Sequence, residues 1–473
     1  MNKKNALVGL LLGLAIVGFL KRDFVTEKIK PLVHSPYKSE VLAVVLSTGV
    51  ADLAPEHLDL DTLTRTENMY EGLVAFDRTL KIVPALALSW GNLSPTVWEF
   101  KMRKGVLFHD GTPFEGASVV AVLEKLKTFK AIRLTDPFTL QIETTAPDPL
   151  LLAKLTKVFI TRPGNVGTGP YKVREWIPGG LLSLTAFTDY WGRQPVYRNA
   201  EYQVLPDRTE RRRAFEDGKI DILSAVPRDQ ALELPQEQLK KSYGLEVNML
   251  MFKLDDPRLA DLKAREAIRT LFDPAKIEAI GNYFVRPATE LVAPGVFGYN
   301  PTIQPFVFDE KNMAQDLFGK RVEKISLDFL ETYRTLSEYL TKQLRTAGFS
   351  VQPNPLPADQ LLTRIRKNLS PLFIIGWQAD DGDAGGFLDA FLDSRGEFNG
   401  GRYKNPDVDR WIAESRQEMN PEKRLALLQQ VLAQAQHDLI AIPLFESSRI
   451  TAVKPGIVWE PRTDGLVLAA EVK

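Results

Sequence analysis

Residues 323–378 read "EKISLDFLETYRTLSEYLTKQLRTAGFSVQPNPLPADQLLTRIRKNLSPLFIIGWQ" and switch periodicity four times. Ile325, Leu327 and Phe329 recur at every second residue, the period of a strand with one buried face. "TLSEYLTKQLRTAG" reads as a helix closed by Gly348, "FSVQP" as a second strand, "ADQLLTRIRKN" as a second helix, and "LFIIGW" as a continuous apolar strand. This order predicts an α/β domain: parallel strands, right-handed crossovers, and helices covering both faces of the sheet.

Open sheets of this kind bind ligands beyond the carboxyl ends of their strands. Two segments leave those ends, "ETYRT" after the first strand and "QADDGDAGG" after the last. The second concentrates Asp380, Asp381 and Asp383 among small residues where a buried strand stops. Tyr333 and Arg334 bring a ring and a guanidinium to the same edge, and opposed charges on adjacent strand ends suit a small zwitterion. Each residue also has a purely structural reading, with Arg334 starting a helix and Asp381 or Asp383 capping one.

Outside this run, "VLAVVL" at 41–46 reads as the first buried strand of the globular part. Trp98, Phe100 and Met102 alternate with polar neighbours as in a half-buried strand, and "HDGTP" at 109–113 supplies turn chemistry. "RTERRR" at 208–213 reads as the solvated face of a helix. A chain of 473 residues accommodates two or three domains, and 44% hydrophobic with 25% charged residues is the composition of a folded globular protein. Sixty basic and sixty acidic residues cancel, so no net field favours nucleic acid. With no cysteine there is no disulfide, thiolate metal site, cysteine nucleophile or lipid-bearing cysteine.

At the amino terminus, Lys3 and Lys4 precede an uncharged apolar run from Ala6 to Leu20, the pattern of an export signal. As a helix the run covers about 22 Å of a hydrocarbon core about 30 Å thick, and Lys21 and Arg22 can snorkel to lengthen the span. Ile16, Val17, Phe19 and Leu20 are too bulky for a small-x-small cleavage site, so an uncleaved anchor at 1–22 is expected, followed by a linker at 23–37.

Enzyme chemistry finds little footing. His34, His57, His109 and His437 are scattered, without His-Glu-x-x-His or other metal-ligand spacing. There is no Gly-x-Ser-x-Gly elbow and no phosphate loop, and "GNVGTGPY" at 164–171 runs into "YKVREW", a strand where a phosphate cradle needs a helix. No cofactor is expected.

Several segments, in order, resemble the family 5 extracellular solute-binding proteins, the dipeptide-, oligopeptide- and nickel-binding receptors of ABC importers. They include "MYEGLVAFDRTLKIVPALALSWGNLSPTVWEFKMRKGVLFHDGTPF", "VGTGPYKVREW" with "DYWGRQP", "LKAREAIRTLFDPAKI", "GWQADDGD", "RYKNPDVDRWI" and "PEKRLALLQQVLAQAQHDLIAIPLF". The resemblance runs from about residue 40 to 460. It implies a periplasmic-binding-protein-like fold of the cluster C type, in which two α/β lobes joined by hinge strands close over a ligand beside a smaller third domain. On that pattern lobe I comprises 38–56, 164–242 and 449–473, domain II 57–163, and lobe III 243–448.

The family's peptide binders hold an extended ligand through main-chain hydrogen bonds to two segments, which match Glu71, Gly72 and Leu73 and Gly376, Trp377 and Gln378. The family aspartate that pairs with the ligand's α-ammonium matches Asp380, and Arg334 is the corresponding candidate for a ligand carboxylate. The segment between "HDGTPF" and "VGTGPY" is shorter than usual, and "ETYRT" is shorter than the arginine-bearing loop of dipeptide receptors. The expected protein is a monomeric, membrane-tethered, extracytoplasmic peptide receptor serving the permease, and indirectly the ATPase subunits, of an ABC importer. Alternatives are a metal-chelate, sugar or opine receptor of the same family, and a surface peptide sensor or chaperone without a transporter.

Overall fold

The computed structural model describes residues 41–281, 284–309, 323–379 and 381–473. The expected anchor at 1–22, the linker at 23–37 and Asp380 lie outside the described residues. The chain forms two compact units, one of 41–242 with Arg449–Lys473, the other Tyr243–Ser448. Among the described residues no helix is long and apolar enough to cross a membrane.

In the first unit the chain lays down β1 (Val41–Leu46), a small β2–β3 pair (Val74–Phe76, Ile82–Pro84), then β4 (Ala87–Ser94), β5 (Val97–Met102), β6 (Ala131–Asp136) and β7 (Thr139–Glu143). Strands β8 (Tyr171–Ile177), β9 (Leu181–Ala186), β10 (Asn199–Val204) and β11 (Ile222–Leu223) follow. The main sheet of this unit runs β11-β1-β10-β9-β8, with β1 parallel to both β10 and β11. Its core gathers Leu42, Val44 and Leu46 with Tyr171, Leu182, Leu184 and Tyr202. A separate antiparallel sheet runs β4-β5-β7-β6, and Trp98, Phe100 and Met102 are buried as their alternation predicts. The helix Arg208–Glu216 departs from its reading in one place. Arg208 and Arg213 are exposed, but Arg211 is buried, its Nη1 donating to Leu205 O and Pro206 O at 2.6 and 2.7 Å. A guanidinium can be buried when backbone carbonyls take its protons, and a run of like charges does not reveal such partners.

The second unit contains β12 (Leu239–Phe252) from Tyr243 on, β13 (Val285–Pro287), β14 (Glu323–Leu330), β15 (Phe349–Leu356), β16 (Leu372–Gln378) and the first part of β17 (Ala441–Val453). Helix Arg334–Thr346 buries Leu336, Leu340 and Leu344 and ends before Gly348, whose φ of 92° is the left-handed turn that glycine supplies there. Helix Ala358–Arg366 buries Leu361, Leu362 and Ile365. The strand–helix–strand–helix–strand run is therefore present, and β14 pairs in parallel with both β15 and β16. The sheet as a whole is mixed, not parallel, because β12 runs antiparallel to β16. No helical crossover ties β12 to β16, so the parallel rule read from 323–378 did not constrain it.

The order β15-β14-β16 puts the first strand of the run in the middle. The reversal of strand order falls between the carboxyl ends of β14 and β16, where "ETYRT" and "QADDGDAGG" leave the sheet.

Candidate ligand-binding site

At its carboxyl end β16 is backed by β12, with Asn248 opposite Gly376, Val247 opposite Trp377 and Glu246 opposite Gln378. The ladder to β14 stops at Phe373, so β16 continues past its parallel neighbour. A Cβ on residue 376 would stand 2.3 Å from Glu246 Oε1 and 2.8 Å from Asn248 Oδ1. Only glycine lets both oxygens lie over the strand. Asn248 is fully buried, with its Oδ1 accepting from the Tyr333 hydroxyl and its Nδ2 donating to Ser447 Oγ at 3.4 Å. Tyr333 and Gly376, predicted separately from sequence, thus meet through Asn248.

Trp377 packs its indole against Phe391 and Phe387, with ring centroids 5.5 and 6.3 Å apart. Its Nε1 is buried without a hydrogen-bond partner among the described residues. Arg334 is exposed and pairs with Glu331, Nη2 to Oε2 at 2.8 Å. That carboxylate holds the Arg334 guanidinium above its usual range.

Within the acid cluster, Asp381 Oδ1 accepts from Asp383 N at 3.2 Å. Asp383 caps the turn that follows, its Oδ1 accepting from Gly385 N at 2.7 Å, and forms a two-pronged pair with Arg424, Nη2 to Oδ1 at 2.8 Å. Both side chains are about 5% exposed, so Asp383 belongs to the fold. Phe297 N donates to Gly382 O at 2.7 Å and Ala384 N donates to Phe297 O at 2.9 Å, fastening the loop on its other side. Sequence reading missed Arg424. Its signal was a charge at the spacing of the buried face of helix Pro421–His437, in line with Leu428, Val431 and Leu432.

Glu71, Gly72 and Leu73 lie in the first unit, and their carbonyls accept from Ile160 N, Leu86 N and Ala87 N at 2.9, 3.2 and 2.8 Å. A Cβ at Gly72 would meet Leu155 O at 2.9 Å, so this backbone runs against its neighbour too closely for a side chain. The Glu71 carboxylate accepts from the Tyr190 hydroxyl at 2.9 Å, Thr168 Oγ1 at 2.8 Å and Trp191 Nε1 at 2.9 Å. Burial pushes it up to about 7 despite those donors and Arg103, whose guanidinium stacks 4.0 Å from the Trp191 ring centroid. Thr168, Tyr190 and Trp191 come from "VGTGPY" and "DYWGRQP", noticed as segments but not as partners of Glu71. His109 fixes the first of these, its Nδ1 accepting from Gly167 N at 3.2 Å and its Nε2 donating to Gly169 O at 3.0 Å. Burial lowers its basicity, in keeping with that neutral tautomer. Among the described residues no three His, Asp or Glu side chains gather as metal ligands.

The profile described as "Bacterial extracellular solute-binding proteins, family 5 Middle" matches residues 81–399. The chain belongs to this family. Family 5 proteins are solute-binding components of ABC importers. This member is 23% identical to the glutathione-binding protein GsiB of Escherichia coli strain K12 over 444 residues, 83% of this chain and 86% of GsiB. Among solved structures it resembles MppA, a periplasmic murein tripeptide binding protein in an unliganded open form, with a TM-score of 0.82, 17% identity and coverage of 92% and 97%. It also resembles NikA from Brucella suis in complex with Fe(III)-EDTA, with a TM-score of 0.79, 21% identity and coverage of 92% and 99%. DppA from Helicobacter pylori in complex with peptide STSA gives a TM-score of 0.66, 21% identity and coverage of 91% and 97%. These likenesses carry the periplasmic-binding-protein-like α/β fold.

Proposed function

We propose that this family 5 protein is a peptide receptor that passes its ligand to the permease of an ABC importer, with no catalytic step of its own. The observation that carries the peptide reading is β16 running past Phe373 with a glycine at 376, next to a loop fastened by Asp383 and Arg424. An exposed strand edge takes an extended peptide by main-chain pairing, which ignores side-chain identity. Gly376, Trp377 and Gln378 are the backbone contacts on this edge. Glu71, Gly72 and Leu73 are the contacts contributed by the first unit, through N–H groups, since their carbonyls already serve the fold. Asp380 pairs with the α-ammonium, Tyr333 supports the edge through Asn248, and Arg334 takes a ligand carboxylate by exchanging Glu331 for it. In this reading 57–163 is the small domain, 38–56 with 164–242 and 449–473 is lobe I, and 243–448 is lobe III. The names of GsiB, MppA and the DppA complex, all peptide-linked, support a peptide over a chelate.

Calorimetry on one tight-binding peptide and its N-acetylated form tests the clamp. Asp380→Asn costs roughly 2–5 kcal/mol with the native peptide and little with the acetylated one, because a charge pair in a dry site is lost only in the first case. Equal affinities for the two peptide forms in the unaltered protein move the reading to a non-peptide solute. The membrane tether belongs to the same proposal and rests on Ala6 to Leu20 and the bulky residues at its end. Intact mass beginning at Met1 in a membrane fraction supports it, and a soluble species starting near residue 23–35 removes it.

A further inference from the structure

Ile325, Leu327 and Phe329 take one face of β14 into the core. Lys324, Ser326 and Asp328 lie on the other face, with Gln352 and Asn354 of β15 in register opposite Ser326 and Asp328. At Asp328 this polar face is closed. The carboxylate is fully buried and accepts from Asn354 Nδ2 at 2.9 Å, Arg364 Nε at 2.6 Å and the Ser370 hydroxyl, so helix Ala358–Arg366 and the connection after it seal that end. Toward the amino end of β14 the face opens into a cavity of about 340 Å³, lined also by Lys253, Asp256 and Arg258 from the segment after β12 and by Leu369 and Pro371 before β16. Lys253 N donates to Pro371 O at 2.9 Å and ties these two segments together. The cavity lies at the amino ends of β14 and β16, whereas the candidate peptide edge leaves their carboxyl ends.

The lining is rich in donors. Lys324 has no acid partner, and the Ser326 hydroxyl and Gln352 amide make no hydrogen bond, among the described residues. Lys253 Nζ stands 3.4 Å from Asp255, a loose pair whose acid is largely exposed. Asp256 is the one acid in the lining, and it is engaged by Arg258, accepting from Nε at 2.7 Å and Nη2 at 2.5 Å.

We infer that this cavity binds a small phosphate ester, at a site separate from the peptide edge. The inference does not depend on the peptide reading. Asp256 already occupies one two-pronged edge of Arg258, the geometry that suits a planar carboxylate. Two ammonium groups, a hydroxyl and an amide remain, and these suit a tetrahedral, doubly charged oxyanion with several acceptor oxygens. The volume exceeds what a phosphate group alone fills, and Leu369, exposed and next to the cavity with Pro371, offers an apolar wall to the body of the ester.

The test uses calorimetry on the full chain at low ionic strength, where charges are least screened, with inorganic phosphate, phenyl phosphate and citrate as probes. Phenyl phosphate binds with a Kd of roughly 1 mM or below, and inorganic phosphate binds more weakly because it cannot use the apolar wall. Citrate also binds more weakly than phenyl phosphate, although it carries more charge. Lys324→Gln and Lys253→Gln each weaken phenyl phosphate about tenfold, whereas Lys104→Gln in the first unit leaves it unchanged. Asp256→Asn acts in the opposite direction and tightens binding, because it removes the acid from the lining, an outcome that a misfolded variant would not give. Far-UV circular dichroism checks that the lysine variants are folded. Affinity that survives both lysine changes overturns the inference, as does a lack of phenyl phosphate binding. Citrate bound as tightly as phenyl phosphate overturns the choice of phosphate and the inference with it.

Discussion

Asp383 and Glu71 are carboxylates in different units, and each accepts several hydrogen bonds. They differ in what was folded in beside them. Asp383 has the Arg424 guanidinium, with both partners almost fully buried. Glu71 has a hydroxyl, a phenol and an indole, and burial pushes its carboxyl up to about 7. Three neutral donors do not replace the water that a carboxylate loses on burial, whereas a guanidinium at contact distance offsets much of that loss. One acid is an anchor, and the other is a group that takes up a proton near neutrality.

The largest effect should come from breaking the anchor. Arg424→Met leaves Asp383 charged and buried, and we expect a loss of about 3–5 kcal/mol in urea unfolding. The double change Asp383→Asn with Arg424→Met should recover much of that loss, since no unpaired charge remains. A single-variant cost below about 1 kcal/mol would mean that the pair is not what holds the loop.

A smaller effect sharpens the other side of the comparison. Glu290 in the second unit is buried, with Oε2 accepting from Asn300 N at 2.8 Å and Oε1 without a partner among the described residues. Burial pushes it, like Glu71, up to about 7 from an ordinary 4.5. An acid whose folded pKa lies above its unfolded one binds its proton more tightly when folded. Its contribution to stability is therefore full below about pH 4.5 and is lost as pH rises through about 7. Urea stability should fall between pH 5 and pH 8, and Glu290→Gln should restore about 1–3 kcal/mol at pH 8 but less at pH 5. An unchanged slope in Glu290→Gln would assign the loss to other groups.

The smallest effect belongs to Arg334. It is solvent-exposed and tied to Glu331, so Arg334→Ala should leave the urea midpoint unchanged. Its effect on affinity for peptides with a free carboxyl terminus should be smaller than that of Asp380→Asn. An Arg334→Ala loss equal to that of Asp380→Asn would show that Glu331 gives way readily to ligand.

The strands at 325–329 and 372–378 were legible because every relevant contact is encoded in a local period, and Gly348 marked the helix end by its backbone requirement. The strand ends at which the candidate site was sought were legible for the same reason, since strand ends follow from strand order. The partners of its acids were not. Arg424 lies 41 residues from Asp383, while Thr168 and Trp191 lie 97 and 120 residues from Glu71. No periodicity connects positions so far apart. The acid cluster looked uniform in sequence because the cation that sets Asp383 apart sits on another helix. Glu246 was invisible for a different reason, because only the bare face of Gly376 shows what lies above it.

The first unit closes its core with residues made last. Val453, Trp459, Leu466, Val467, Ala469 and Val472 pack among β1, β8, β9 and β10, and Ala469 N donates to Asn68 Oδ1 at 2.9 Å while the Tyr202 hydroxyl donates to Val467 O at 2.9 Å. Arg462 is buried between the Asp464 and Glu471 carboxylates and donates to Phe76 O at 3.1 Å. During synthesis, more than four hundred residues after β1 must appear before these contacts exist. The amino-terminal unit therefore stays incomplete until almost the whole chain is made, and the unit at 243–448 is finished only shortly before it, because its core includes Leu439, Ile442, Leu444 and Phe445. A chain destined for passage through a narrow translocation channel gains from that order, because its leading half cannot lock into its final form before its tail arrives.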